Sequence, residues 1–216
     1  MQAGSETAVV TLLGVIGALT LVTTVAQFWP QPIRILRHGT AGVSSTTWGM
    51  LMVSVSGWST YGILSGRSVV WVTNFLVVPG VLLVVTKTWV RASGDRKVIL
   101  MSLIGSIVCV VLMVAVTGPV LVALSMWEVA ALIPQTLDVM RARTQRSIEG
   151  VSLLGWCVTI AAQGLWGTWY IMTHGPLAPT IGAWLIVGLA AALVIKVATL
   201  RDQRWVKGTR FSRGNK

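Results

Sequence analysis

Asn74, Glu128 and a set of eleven tryptophans are the side chains of this sequence best placed to do more than fill space. Asn74 and Glu128 lie inside long apolar runs, where an amide or a carboxyl is costly unless it finds a partner. Asn74 carries two donors and an acceptor, and its partner is either a ligand or a neighbouring helix. Tryptophan supplies a flat apolar plate with one N–H. Trp58 and Trp166 recur 108 positions apart, and Ser54 lies one helical turn before Trp58. These four side chains, Asn74, Trp58, Trp166 and Ser54, are the candidate substrate-binding set, with plain packing as the competing reading for both indoles. Glu128 leaves three readings open: proton coupling by its carboxyl, direct substrate contact, or a protonated structural hydrogen bond. Gln163 is its candidate partner. Trp29, Trp48, Trp71, Trp89 and Trp205 read as interfacial belt or bundle filler.

Enzyme chemistry finds no footing. His38 and His174 are the two histidines and fall in turns on opposite sides of the apolar runs, so no metal cluster is expected from them. No nucleophile–base arrangement or phosphate-cradling glycine loop is present, and no cofactor is expected. Cys109 and Cys157 sit in apolar runs and read as small buried apolar residues.

The elements that must position the candidates come in two copies. Trp29-Pro30-Gln31-Pro32, closing an apolar run and opening a basic turn, recurs as Ile133-Pro134-Gln135-Thr136. Gly42-Val43-Ser44, Trp48 and Trp58 are matched by Gly150-Val151-Ser152, Trp156 and Trp166. Such a repeat dictates architecture before any local reading. Pro30 and Pro134 each remove a helix hydrogen bond and introduce a bend, with Gln31 and Gln135 placed to re-satisfy the freed carbonyls. Bends at equivalent positions are candidate hinges; static kinks are the alternative.

At 54% hydrophobic and 11% charged residues, with mean hydropathy +0.78, the chain reads as an integral membrane protein. Seven segments reach the length of about 20 residues needed to span a bilayer: Ala8 to Leu36 (interrupted at Pro30), Ser44 to Leu64, Val69 to Thr86, Val98 to Val116, Val120 to Met140, Val151 to Met172 and Leu177 to Ala198. Met1 to Thr7 lacks a basic n-region, so the first span is expected to be retained. With the N-terminus outside, 16 of the 17 basic residues fall on the cytoplasmic side and Arg67 alone outside. The net charge of +11 is then orientation plus attraction to the anionic inner leaflet. Nucleic-acid binding is not expected, because the basic residues are spread over four segments. Lys196 in the seventh span invites a retinal-protein reading, but its place near the cytoplasmic end lets it snorkel.

Three spans per copy is an odd number, so a direct join would invert the second copy. Val98 to Val116, which matches neither copy and precedes the turn Thr117-Gly118-Pro119, restores the orientation. The expected fold is all-α, with seven transmembrane helices as two parallel three-helix repeats joined by an inversion helix. The divisions are 1–93, a linker helix over 94–118, 119–200, and a basic cytoplasmic tail over 201–216.

The doubled Pro-Gln, each followed by a basic turn, Gly-Val-Ser and a tryptophan, resembles the PQ-loop superfamily, and the 3+1+3 layout its SWEET branch, over roughly Gln27 to Val194. The resemblance implies uniport of a mono- or disaccharide by alternating access between two three-helix bundles in the plasma membrane. Trp58, Tyr61 and Gly62 fall on the family's Trp-x-x-Tyr-Gly motif, and Asn74 resembles its sugar-contacting asparagine in the third span. In the second copy Trp169 stands in the tyrosine position, Tyr170 in the glycine position and Gly182 in that of the asparagine. Thr46-Thr47-Trp48-Gly49 replaces the usual early proline of the second span. Aromatic plates suit the C–H faces of a sugar and amides its hydroxyl edges. Two other readings stay open: a proton-coupled transporter of an amino acid or cationic metabolite, and a non-transporting receptor or interaction protein. One chain can carry a complete path, and a homo-oligomer is compatible with the same residues.

Overall fold

The computed structural model describes residues 2–38, 40, 44–90, 93–141 and 153–213, and among these there are helices and turns but no strand. Gly42-Val43, Arg91, Arg143, Arg146 and Gly150-Val151-Ser152 lie outside the described residues, and Gln135 and Trp205 are described by backbone alone. The helices are α1 (Gln2–Phe28), α2 (Pro30–His38), α3 (Ser45–Leu64), α4 (Ser68–Trp89), α5 (Ser93–Ala115), α6 (Thr117–Arg141), α7 (Leu153–Met172) and α8 (Leu177–Arg213).

Each boundary has a local cause. The break at Trp29 falls where Pro30 and Pro32 remove two amide donors within three residues, although Trp29 still links the two helices through bonds to Val25 and Ile33 at 3.2 Å each. Pro134 stands alone in the second copy, and α6 continues through it. The first Pro-Gln thus interrupts a helix while the second is absorbed by one. The Gln31 side chain makes no hydrogen bond to another described residue, so the expected repair of the freed carbonyls by Gln31 is not made. Ser44, the last residue of the first Gly-Val-Ser, caps α3 by accepting from the Thr47 amide at 3.2 Å. Thr117-Gly118-Pro119, expected as a turn, forms the first turn of α6, where proline loses no intrahelical bond; the connection from α5 is Val116. Helix α8 runs on to Arg213 instead of ending near Ala198.

Five of these rods are long and apolar enough to cross a membrane: Val10–Arg37, Ser68–Trp89, Arg96–Ala115, Thr117–Arg141 and Leu177–Leu200. Their outer surface is apolar, with Val10, Leu82, Ile107 and Ile195 exposed, consistent with a multi-pass membrane protein. The other two expected spans, α3 and α7, are helices of 20 residues whose runs are interrupted by Ser, Thr, Gly and Gln. They are the most enclosed, α3 burying Thr47, Ser54 and Trp58 and α7 burying Thr159, Gln163 and Trp166. Polar content that lowers their hydropathy therefore faces protein.

The packing order repeats. Helix α4 packs on α1 and α3, and α8 packs on α6 and α7; across the two sets, α1 meets α7 and α3 meets α6. Helix α5 lies against α3, α4 and α6. Gly17 abuts Val69 and Gly80 abuts Pro32, so α1–α2 run parallel to α4; Gly49 abuts Ser102 and Gly57 abuts Cys109, so α5 runs parallel to α3. Cys109 is partly buried in this seam, whereas Cys157 is exposed on α7, against the expectation that both are buried.

The buried core has three parts. One cluster, at the end where α3 turns into α4 and α7 into α8, joins Trp58, Tyr61, Val70, Leu121, Leu124, Trp166, Trp169, Tyr170 and Ala183 from both sets. Towards the other end the core divides. Ile35, Trp48, Met52, Val81 and Val84 form one cluster, with Ala131 its contribution from α6, while Val139, Trp156, Leu193 and Val197 form another. Trp48 and Trp156, expected as a repeat pair, each anchor one of these.

Candidate functional site

Between the two sets lies a cavity of about 50 Å³ bordered by α1, α3, α4, α6, α7 and α8. Ser54, Trp58, Asn74, Glu128 and Trp166 all line it, with Thr24, Ser125, Gln163, Tyr170 and Gly182. Every candidate substrate-binding residue and the candidate coupling residue are therefore at one place. Pro30, Gln31 and Pro134 lie away from it, towards the divided end of the core.

The two tryptophans are held by matching bonds. Trp58 Nε1 donates to Glu128 Oε2 at 3.0 Å, from α3 to α6. Trp166 Nε1 donates to Thr24 Oγ1 at 2.9 Å, from α7 to α1. Thr24 and Glu128 are 104 positions apart, the same offset as the two Pro-Gln pairs, so one bond is the repeat image of the other. The repeat is broken in chemistry only at the acceptor, a hydroxyl on one side and a carboxyl on the other. Glu128 takes its bond from Trp58 and not from Gln163, the partner expected from sequence.

The remaining polar groups are mostly turned back on their own helices. Asn74 Nδ2 donates to the Val70 carbonyl at 2.9 Å, Ser54 Oγ to Met50 at 3.4 Å, Ser125 Oγ to Leu121 at 2.8 Å and Thr24 Oγ1 to Thr20 at 2.8 Å. Gln163 is 6% exposed and its amide has no hydrogen-bond partner among the described residues. No basic side chain borders the cavity.

Above the cavity, at the end where the core is shared, the aromatic rings close the space. Trp166 stacks on Tyr170 at 5.7 Å and 28°, Trp58 meets Tyr61 at 5.8 Å and Tyr170 at 6.4 Å, and Trp169 meets Tyr170 at 5.4 Å. Over them sits Arg67, its guanidinium 5.4 Å from the Trp169 ring centroid and its Nη1 donating to Thr173 Oγ1 at 3.1 Å. Arg67 leads into α4 and Thr173 follows α7, so this contact clasps the two sets together.

Tyr170 was not marked as a site residue by the sequence, yet a signal was present. Arg67 N donates to the Gly62 carbonyl at 2.9 Å, and 108 positions on, Gly175 N donates to Tyr170 at 2.7 Å. In the first copy the glycine is on the helix, where a Cβ would lie 2.6 Å from the Trp71 amide nitrogen. In the second it is in the loop, where a Cβ would lie 2.6 Å from Tyr170 Cδ1. The glycine and the bulky residue have exchanged places across the same turn, which frees the helix position for Tyr170 to reach the cavity.

Among the described residues no group of three metal-ligating side chains is present. Comparison with protein-family models, with curated proteins and with solved structures finds no match to this chain.

Proposed function

We propose that this chain is a SWEET-like membrane transporter that carries a small polar solute by alternating access, a sugar being the class its Pro-Gln resemblance implies. The observation that carries the reading is the cavity at the seam of two three-helix sets, walled by a repeat-related pair of tryptophans each bonded across the seam. In this reading all seven rods span the plasma membrane. Helices α1, α3 and α4 and helices α6, α7 and α8 are parallel repeats, α5 inverts the chain between them, and the N-terminus is outside. The packing order of the two sets supports it, since exchanging the sets maps the α1–α7 contact onto α3–α6. A cavity of about 50 Å³ is well below the roughly 300–1,000 Å³ of a pocket for a drug-sized ligand. A hexose therefore enters only when the sets separate, with the Pro30 and Pro134 regions as hinges.

Protein reconstituted in liposomes is expected to equilibrate labelled glucose, with Asn74→Ala and Trp58→Ala removing the flux. Undiminished flux in both variants would show that the solute passes elsewhere. Glu128 on the cavity wall favours a second reading, in which the same transport is proton-coupled. Flux would then require a pH gradient in the parent and lose that requirement in Glu128→Gln.

A further inference from the structure

We infer that the cavity selects a small, donor-rich organic cation, an alkylammonium or a guanidinium, with Glu128 as its counter-ion. The inference rests on the transport reading and replaces the sugar implied by the resemblance with a cation as the preferred solute.

The donor inventory of the wall is the argument. Both indole N–H groups are engaged, by Glu128 and Thr24. The hydroxyls of Thr24, Ser54 and Ser125 donate to backbone carbonyls of their own helices, and one amide N–H of Asn74 does the same. What these groups still offer is oxygen lone pairs. The second N–H of Asn74, the amide of Gln163 and the Tyr170 hydroxyl are the donors left. A sugar hydroxyl both gives and accepts, so a neutral polyol would leave many of its acceptors unmet, at a cost for each buried unsatisfied group. An ammonium or guanidinium has donors and no acceptor and needs none.

Charge and surface agree with that inventory. Glu128 is the one carboxylic acid on the wall and no base faces it there. A carboxylate at this depth needs a partner, and a bound cation supplies it. The faces of Trp58, Trp166 and Tyr170 attract a cation as well. A cavity of about 50 Å³ admits a few water-sized groups at most, which limits the occupant in this conformation to a few heavy atoms.

Methylguanidinium, permanently charged and so unable to leak across a bilayer as a neutral base, is the probe, and methylurea is its uncharged near-isostere. Binding to the full chain in detergent is read from tryptophan fluorescence, and flux from vesicles of phosphatidylcholine with phosphatidylglycerol. Methylguanidinium is expected to bind about tenfold or more tightly than methylurea, the scale of one charge-assisted contact, and to be carried. Glu128→Gln, which keeps an acceptor for Trp58, is expected to bring the two within about threefold. The comparison in the parent protein stands even where the variant fails to fold. Equal binding of the two probes, or glucose carried and methylguanidinium refused, overturns the cation assignment and leaves transport standing. Methylguanidinium bound with that preference while no solute is moved keeps the site and removes the transporter. Absence of both binding and flux overturns the two together.

Discussion

At the scale of single residues, the two indole bonds are alike in geometry and unlike in acceptor, which makes them a matched comparison. Trp58→Phe keeps most of the ring and leaves Glu128 without its donor; Trp166→Phe removes only a donor to the Thr24 hydroxyl, which keeps its own bond to the Thr20 carbonyl. A hydrogen bond to a charged group contributes about 1.5–3 kcal/mol and a neutral one about 1 kcal/mol. Unfolding in mixed micelles should therefore show Trp58→Phe as the more destabilised variant by about 1 kcal/mol or more. The reverse order would mean that Glu128 is not charged while bonded to Trp58. Much of the cavity wall could be read in the sequence, because Asn74 and Glu128 are rare polar residues in apolar runs and Trp58 and Trp166 recur 108 positions apart. The bonds between them could not. Spacing places a side chain on a helix face, but whether Glu128 meets Gln163 or Trp58 depends on the crossing and rotation of α3, α6 and α7, which no single run records.

At the scale of elements, glycine determines where helices come close. Gly62 lies against the first turn of α4, and a methyl there would meet the Trp71 amide, which is backbone and cannot rotate away. Gly62→Ala is expected to destabilise by about 1–3 kcal/mol through overpacking. Gly164 in α7 has nothing within 4 Å of an added Cβ, so Gly164→Ala should be neutral or stabilising by up to about 1 kcal/mol, from helix propensity alone. Thermal unfolding of the two variants side by side separates the effects, and equal losses would show that the tight α3–α4 turn is not rigid. The helices themselves were legible from apolar length, since each of the seven expected segments is helical over its described residues. Their ends were less so. Thr117-Gly118-Pro119 has turn composition but also suits a helix start, and only the neighbouring α5 end decides between them. The exchange of Gly62 and Arg67 for Tyr170 and Gly175 was hidden because it trades two positions at once, so each looks like a simple departure from the repeat.

At the scale of the whole molecule, the buried cores of the two sets merge near the α3–α4 and α7–α8 turns and remain distinct towards the opposite end. Among the described side chains, Arg34, Arg37, Lys87, Arg96, Lys97, Arg141 and Lys196 lie towards the divided end, and Arg67 is at the joined one, where it ties α7 to the α3–α4 turn. The asymmetry of charge was legible in the sequence, but the use of its one exception was not, because the partner of Arg67 is 106 residues away. A charge-assisted bond and a cation–π contact in a partly exposed site together contribute about 1–3 kcal/mol. If they hold the joined end shut, removing them shifts the balance between the two openings by about tenfold or more. Asn74→Cys, in a chain with Cys109 and Cys157 replaced by alanine, reports on that balance when an impermeant thiol reagent is applied from either side of sealed vesicles. In the parent chain the cysteine should react from the basic side. Adding Arg67→Ala should make it react from the Arg67 side at about tenfold the parent rate, with Arg67→Lys, which keeps the charge, giving a smaller rise. Labelling from the Arg67 side that is already fast in the parent, or that does not change on losing the guanidinium, would mean that the aromatic rings alone close this end and that Arg67 is no part of the gate.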